Sequence, residues 1–227
     1  MRAAVAFVLL LASPPLLGQQ AAPRFIYIYR DSLKAGVDSA YRVIEDDGAQ
    51  ICADFQCPNP YLALESLSGP HEAWWVNAFA GDPDTARVVQ AYATNRSLAD
   101  ALGAIAKRKQ TLIGTPIQGF AVARPDLSRG APWSVAGARF MVVTITRSRR
   151  PAEGWVWEMA DSTLYFFRPV KTRQQAEALA QEPEAGTRVF AVRTNWSMPA
   201  PDWVAADRDF WRLAPVPKPT REKGKSP

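Results

Sequence analysis

One stretch, residues 59–80, constrains the fold more than any other because it predicts a tight β-hairpin. Residues 61–67 alternate in size and polarity, as the residues of a half-buried strand do. Ser68-Gly69-Pro70-His71 supplies turn residues, and residues 72–80 then return as a strand rich in aromatic side chains. A helical pattern precedes this hairpin and a longer one follows it, so the chain must place helices around a pair of strands.

The residues around this hairpin complete a unit of six elements. The predicted elements are strands at 24–30, 61–67, 72–80 and 117–124 and helices at 37–54 and 83–113. We expect Gly48 to interrupt the first helix, Asp82 to cap the second, and Asn95 or Gly103 to bend the second. The order predicts a ferredoxin-like βαββαβ unit in an α+β protein, spanning residues 24–124.

The second half of the chain predicts another β-rich unit with one helix fewer. Strands are expected at 139–146, 154–159, 163–169 and 187–194, with a helix at 172–181. This order is β-β-β-α-β. The predicted division of the chain is a signal peptide (1–18), the ferredoxin-like unit (24–124), a linker (125–137), the second unit (138–199), a short docking helix (200–214) and a disordered basic tail (215–227).

The charge of the chain does not indicate a nucleic-acid partner. The 227 residues carry a formal net charge of +5, with 48% hydrophobic and 22% charged residues, as in a packed globular protein. Much of the excess charge lies in the tail, which contains Lys218, Arg221, Lys223 and Lys225. No nucleic-acid motif accompanies this tail, so we interpret it as a solvated end.

The N-terminus has the pattern of a secretory signal. Arg2 is followed by an apolar run at 3–12 and then by small and turn residues up to Gly18. We expect cleavage after Gly18, with Ala22 as the alternative site, and export to the periplasm or the outside of the cell. An uncleaved membrane anchor is the other interpretation of this run. No other stretch is long enough to span a membrane, so no stable span is expected after cleavage.

The two cysteines, Cys52 and Cys57, fit an oxidising compartment. Only four residues separate them, at the end of the first predicted helix, so a local disulfide is expected. The spacing differs from the Cys-x-x-Cys of a redox-active pair. Two cysteines without a histidine pair do not make a structural zinc site, and we expect no metal.

One short segment carries a resemblance to a known family. Residues 27–37, Tyr-Ile-Tyr-Arg-Asp-Ser-Leu-Lys-Ala-Gly-Val, join a first strand to a Lys-x-Gly turn before the helix. Together with the order of elements in 24–124, this segment resembles the dimeric α/β-barrel superfamily, which includes antibiotic-biosynthesis-monooxygenase and NIPSNAP domains. The resemblance implies two sheets packed face to face around a cavity. The second unit would supply the second sheet within one chain, as an intrachain pseudo-dimer.

The enzymes of that superfamily include cofactor-free monooxygenases and haem-degrading proteins. The haem-degrading pattern places an asparagine on the first strand and a histidine on the second helix. This sequence has neither, since its single histidine is His71 in the hairpin turn. We therefore expect no haem and no other cofactor.

The alternation of three strands defines a candidate cavity face. Tyr27, Tyr29, Tyr61 and Glu65 oppose an aliphatic set formed by Ile26, Ile28, Leu62 and Leu64, and Trp75 and Asn77 join the first set if their strand buries Val76. Because amphipathic helices need an apolar floor, we expect the aliphatic set to lie under the helices. The aromatic set, with Tyr27 and Glu65 on neighbouring strands, would then point away from both helices toward the second sheet. Desolvation would raise the pKa of Glu65 there, unless it pairs with an arginine.

The sequence favours a binding function over a catalytic one, because no nucleophile, metal or phosphate motif is present. The first hypothesis is an exported protein that holds a small apolar or aromatic molecule in a sheet-enclosed cavity. A cofactor-free monooxygenase-like enzyme is the alternative, and a cell-envelope interaction module is the third. A closed pocket with Glu65, Tyr27 and Asn77 converging would favour the first two, and a filled core the third.

Overall fold

The computed structural model describes residues 23–130, 135–181 and 186–218. The predicted signal peptide, part of the predicted linker and most of the basic tail lie outside these residues. The strands are β1 (Phe25–Ser32), β2 (Tyr61–Ser66), β3 (Glu72–Phe79), β4 (Ile117–Ala123), β5 (Ser128–Arg129), β6 (Phe140–Thr146), β7 (Ala152–Glu153), β8 (Trp155–Met159), β9 (Leu164–Val170) and β10 (Thr187–Val192). The helices are α1 (Asp38–Asp54), α2 (Asp82–Thr94), α3 (Arg96–Lys109), α4 (Arg173–Ala180), α5 (Pro201–Ala206) and α6 (Arg208–Trp211), with a 3₁₀ turn at Thr194–Trp196.

Eight of the described strands form one closed antiparallel barrel with the order β1-β3-β2-β10-β6-β9-β8-β4. The first half of the chain contributes the run β4-β1-β3-β2, and the second half contributes β10-β6-β9-β8. The two central strands are β1 and β3 in the first run and β6 and β9 in the second. In both halves these are the first and third barrel strands in chain order. Two seams, β2 with β10 and β4 with β8, join the halves into a single barrel.

The interior of the barrel is a packed core. It contains the aliphatic set of the first three strands, Ile26, Ile28, Leu62 and Leu64, together with Trp74, Val76, Met141, Val143, Trp157 and Phe167. The expectation that this aliphatic set lies under the helices is therefore wrong. A closed barrel excludes water from its interior more completely than a helix layer covers its outside, so the most apolar face of each strand turns inward.

The ends of the barrel are closed in different ways. At one end, Trp203 and Trp211 of α5 and α6 are buried in the barrel core, and the segment expected as one short helix forms two. Toward the other end, Arg30 stacks on the Trp74 ring at 4.4 Å and pairs with Glu72 at 2.8 Å. Two short helices thus cover one end of the barrel, and a buried ion pair between the neighbouring strands β1 and β3 lies toward the other.

The helices of the first half cover the outer face of β1, β3 and β2. The predicted bend of the long helix occurs at Asn95, whose side chain accepts a hydrogen bond from the Leu98 amide and caps α3. Gly81 rather than Asp82 precedes α2. Gly48 does not interrupt α1. It faces α3, where an added Cβ would lie 3.4 Å from the Ile105 side chain, which is an ordinary van der Waals contact.

Two further features fix the local structure. Cys52 and Cys57 form a disulfide that ties the end of α1 to the loop before β2. In the second half, Thr172 and Gln175 form a capping box at the start of α4.

Across the residues described, none of the helices is both long and apolar enough to cross a membrane.

Candidate functional site

A cavity of about 610 Å³ lies between the outer face of the barrel and the helices of the first half. Its floor consists of strand residues, and its roof consists of residues from all three helices. The floor includes Tyr27, Tyr29, Tyr61, Trp75, Asn77, Phe79 and Phe120; the roof includes Glu45, Gly48, Ala49, Cys52, Val88, Val89, Tyr92, Leu102, Ile105, Ala106 and Lys109. Most of these side chains are aromatic or aliphatic.

The strand register explains the floor. Tyr27 of β1 lies opposite Asn77 of β3, and Asn77 lies opposite Tyr61 of β2. Tyr29 lies opposite Trp75, and their rings meet edge to face with centroids 5.8 Å apart. Five of the six residues predicted for the cavity face thus line one cavity. They face the helices, however, and not a second sheet.

Glu65, the sixth predicted residue, does not line this cavity. It lies on the helix side of β2, and β3 separates β2 from β1, so Glu65 and Tyr27 are not on neighbouring strands. Its carboxylate accepts hydrogen bonds from the Arg42 side chain, the shorter at 2.8 Å, and lies 3.4 Å from Arg193. The interpretation of Glu65 as a cavity acid is therefore wrong, and the alternative of an arginine pair is the one observed.

A cluster of buried charges forms one end of the cavity. Lys109 Nζ lies 2.9 Å from Asp31 Oδ2 and 3.0 Å from Glu45 Oε1. The Tyr41 hydroxyl donates to the same Asp31 oxygen at 2.7 Å. The ammonium also lies 4.6 Å from the centroid of the Trp75 ring, within cation–π range. The two carboxylates give this end of the cavity an acidic character around one cation.

The buried surroundings of this cluster shift the pKa values of Glu45, Lys109 and the nearby Tyr29. Burial raises the pKa of Glu45, although the attraction of Lys109 opposes the shift. Burial lowers the pKa of Lys109, but the attraction of Glu45 and Asp31 outweighs it and the net shift is upward. Burial, with a smaller contribution from Asp31, raises the pKa of Tyr29 to about 12. At neutral pH Lys109 is therefore charged and Tyr29 keeps its proton.

A neutral polar pair forms a second pole of the cavity. Asn59, in the loop that follows the disulfide, donates from Nδ2 to Asn77 Oδ1 at 2.8 Å. Burial raises the pKa of the neighbouring Tyr61 and raises that of Tyr92 to about 12, so both phenols are neutral hydrogen-bonding groups here. Trp75 and Asn77 are two residues apart on β3, so the charged and neutral poles lie roughly 7 Å apart along the strand.

The cavity opens to solvent beside α2 and β4. Val89 is 57% exposed and Phe120 is 43% exposed, although both line the cavity. Ala106 on α3 is also exposed. These exposed lining residues place the opening of the cavity between α2, α3 and β4.

Sequence reasoning missed Glu45, Lys109 and Asn59. A signal was present for two of them, because Lys109 follows Leu102 and Ile105 at helical spacing, and Glu45 follows Tyr41 in the same way. A charge on the apolar stripe of a helix indicates a buried partner. Asn59 carried no such signal, since asparagine is an ordinary loop residue.

No family model matches the chain, and no curated protein matches it. A solved structure from Lactobacillus acidophilus NCFM, provisionally described as a monooxygenase, is similar with 9% identity and a TM-score of 0.43, over 76% of this chain and 93% of that chain. A second from Fusobacterium nucleatum, also provisionally a monooxygenase, has 12% identity and a TM-score of 0.46, over 79% and 94%. A third, provisionally a chlorite dismutase, has 10% identity and a TM-score of 0.39, over 76% and 96%. Likeness at this level assigns no activity to the chain.

Proposed function

We propose that this protein binds a small apolar or aromatic molecule in the cavity between the barrel and its helices. The observation that carries the proposal is the cavity itself. Its volume of about 610 Å³ falls within the roughly 300–1,000 Å³ typical of ligand pockets. Its wall combines aromatic rings with a few polar groups at defined places, which is the usual composition of such a pocket.

The energetic cost of the cavity supports the same function. Protein interiors are close-packed, and side chains that line an empty space lose dispersion contacts. The barrel interior of this protein is filled, so the sequence is able to pack a core. A molecule bound in the large apolar space beside that core would restore the dispersion contacts that the lining side chains lack. A filled core was the observation expected of an interaction module. Because a cavity lies outside the filled barrel, we favour the binding of a small molecule over that alternative.

Titration with N-phenyl-1-naphthylamine, whose fluorescence increases in apolar surroundings, tests this function. We expect saturable binding by the wild-type protein and its loss in Ala106→Trp, which fills the mouth of the cavity. Ala104→Trp is the matched control, because Ala104 is an exposed alanine of the same helix that does not line the cavity. Equal binding by both variants would show that the probe binds elsewhere, and no binding by the wild type would refute the function.

A second candidate function is cofactor-free oxygenation, and Glu45 is the observation that favours it. Its carboxyl lies in the cavity wall with a raised pKa, as a general base needs. It could remove a proton from an activated CH₂ group of a bound ligand. The resulting carbanion would add O₂, and loss of water from the peroxide would leave a ketone. Oxygen consumption that Glu45→Gln abolishes would support this activity, and none with any ligand that binds would exclude it.

We also propose that the chain is an intrachain counterpart of a dimeric α/β barrel. The arrangement of the two halves supports it: in both β4-β1-β3-β2 and β10-β6-β9-β8, the first and third barrel strands of that half occupy the two central positions.

Export remains a proposal supported by residues 2–18 of the sequence. N-terminal sequencing of protein from its native host should find a start between Gln19 and Pro23, and an intact Met1 would contradict export.

A further inference from the structure

The hydroxyl of Tyr61 is a polar group of the cavity that has no partner among the described residues. Tyr61 is only 7% exposed and lies in the floor of the cavity. Its hydroxyl forms no hydrogen bond there, yet it is not one of the unpaired side-chain oxygens that are closed off from a water-sized molecule. Because the rest of the residue is buried, the cavity is the space that this hydroxyl reaches. A bound molecule can therefore supply the partner that a buried polar group needs.

Tyr92 places a second phenol hydroxyl on the opposite wall. Val88 and Tyr92 are one turn apart on α2 and both line the cavity, so this face of α2 points inward. Within the described part of the chain, the Tyr92 hydroxyl also has no hydrogen bond and is not closed off. After the larger effect of burial, the Tyr92 phenol contributes to the raised pKa of Tyr61, as a neighbouring titratable group does. Two free hydroxyls thus lie near each other, one from the floor and one from the roof.

The surroundings of these hydroxyls indicate a neutral acceptor as their partner. Burial raises the pKa of both phenols, to about 12 for Tyr92, so both keep their protons at neutral pH and can donate. Of the described residues that line the cavity, Lys109 is the cation, and Asp31 and Glu45 hold it at the other pole. An anionic ligand group at the phenols would lose water without gaining a counter-ion, whereas a carbonyl oxygen would not incur that cost.

We propose that Tyr61 and Tyr92 donate hydrogen bonds to the carbonyl oxygen of a neutral aromatic ligand, so that the cavity selects aryl ketones over rings of the same shape without an acceptor. This inference rests on the proposed binding function and narrows its ligand class. The ring of the ligand contacts the aromatic floor, and its carbonyl group points to the space between β2 and α2. Tyr61 and Tyr92 are then the residues that determine specificity within the cavity.

Displacement of bound N-phenyl-1-naphthylamine by 2-acetylnaphthalene and by 2-isopropenylnaphthalene tests the inference, because a C=CH₂ group replaces the C=O group in a molecule of nearly the same shape. We expect the wild-type protein to bind the ketone more tightly. When Tyr61→Phe and Tyr92→Phe are combined, we expect the ratio of the two affinities to fall about tenfold, as the loss of one or two hydrogen bonds predicts. Binding of 2-isopropenylnaphthalene should be retained.

Tyr27→Phe is the matched control. It removes a phenol hydroxyl from the same cavity floor, but that hydroxyl already donates to Gln118 Oε1 at 2.8 Å. A change in packing at Tyr27 affects both compounds alike, so we expect the ratio of their affinities to stay within about twofold of the wild-type value. A fall of the ratio in Tyr27→Phe as large as in the double variant would overturn the specific role of Tyr61 and Tyr92.

The other outcomes separate this inference from the function on which it rests. Equal or tighter binding of 2-isopropenylnaphthalene by the wild type would overturn selection for the carbonyl group and leave ligand binding intact. A ratio that is unchanged in the double variant would overturn the role of the two hydroxyls. Failure of the wild type to bind either compound or N-phenyl-1-naphthylamine would refute the binding function itself.

An infrared measurement keeps the inference testable if the double variant does not fold. With 2-acetylnaphthalene labelled with ¹³C at the carbonyl group, we expect the C=O stretch of the ligand bound to the wild type to lie at lower frequency than in hexane. Tyr92→Phe alone should move this stretch back toward the value in hexane. A bound carbonyl group that absorbs as it does in hexane would overturn the inference.

Discussion

Lys109 is the residue on which the charged pole of the cavity depends. It is the cation between Asp31 and Glu45, and all three side chains are at least nine-tenths buried. Removing the cation would leave two buried carboxylates without their counter-ion. We expect Lys109→Met to lower the free energy of unfolding by about 3–5 kcal/mol in urea denaturation. Lys107→Met, an exposed change two residues earlier, should stay within about 0.5 kcal/mol. A similar small loss for both variants would contradict the buried cluster.

Glu45 should make part of the stability depend on pH. Its pKa is raised above the ordinary 4.5, so the folded protein holds this proton more tightly than the unfolded chain. The contribution of Glu45 to stability therefore falls as the pH rises from about 4.5 through the raised value. We expect wild type to lose stability relative to Glu45→Gln over that interval in urea unfolding. A difference that is constant with pH, or that changes in the opposite direction, would mean that the carboxyl is not desolvated.

Glu65 should behave as a structural residue. Its side chain is 8% exposed, but its partners Arg42 and Arg193 are 50% and 31% exposed and can reach water when the pair is broken. We expect Glu65→Leu to cost about 1–2 kcal/mol, less than a fully buried pair would, and to leave probe affinity unchanged. Glu177→Leu removes an exposed pair within α4 and serves as the control, with little change expected. A weakened probe affinity in Glu65→Leu would restore its place in the cavity.

At this scale the sequence predicted which aromatic residues share a face, because alternation along a strand is a local property. It did not predict that Glu65 lies outside the cavity, because that depends on where α1 places Arg42. The helices that pack on the outer face of the strands decide whether a strand residue contacts a helix or lines a cavity. The sequence of the strands alone does not predict where those helices lie.

At the scale of elements, Gly48 links helix stability to the size of the cavity. It lies in the middle of α1 and in the cavity wall, where helix propensity favours alanine. We expect Gly48→Ala to stabilise the protein by about 0.5–1 kcal/mol and to weaken N-phenyl-1-naphthylamine binding. Gly103→Ala on α3 should stabilise similarly without affecting the probe, because an added Cβ there meets nothing within 4 Å and Gly103 does not line the cavity. Equal probe affinity in both variants would show that Gly48 does not shape the site.

The elements were the most predictable part of the fold. Local chemistry sets the start of α4 at Thr172 and the division of α2 from α3 at Asn95. The sequence predicted a helix from 172, and it predicted Asn95 as one of two positions for the bend. Gly48 was misinterpreted as a break because a glycine that ends a helix and a glycine that packs against another helix look the same in sequence. The contact with Ile105, which distinguishes them, is 57 residues away in the chain.

At the scale of the whole molecule, barrel closure decides where the cavity lies. The closure depends on β2 pairing with β10 and β4 pairing with β8, contacts between distant parts of the chain. Once the barrel is closed, its interior takes the aliphatic faces and the aromatic faces turn to the helices. Alternation predicted both faces of each strand but not which face is inside, since a pattern of period two is unchanged when the two sides are exchanged.

The most direct measurement is the position of a bound ligand. In a methyl-labelled sample of the full chain, nuclear Overhauser effects locate N-phenyl-1-naphthylamine relative to labelled side chains. We expect contacts from the probe to the methyl groups of Val88 and Ile105 in the cavity wall, and none to Val143 or Val192 in the barrel core. Contacts to Val143 and Val192 instead would place the ligand inside the barrel and contradict a binding site between the barrel and its helices.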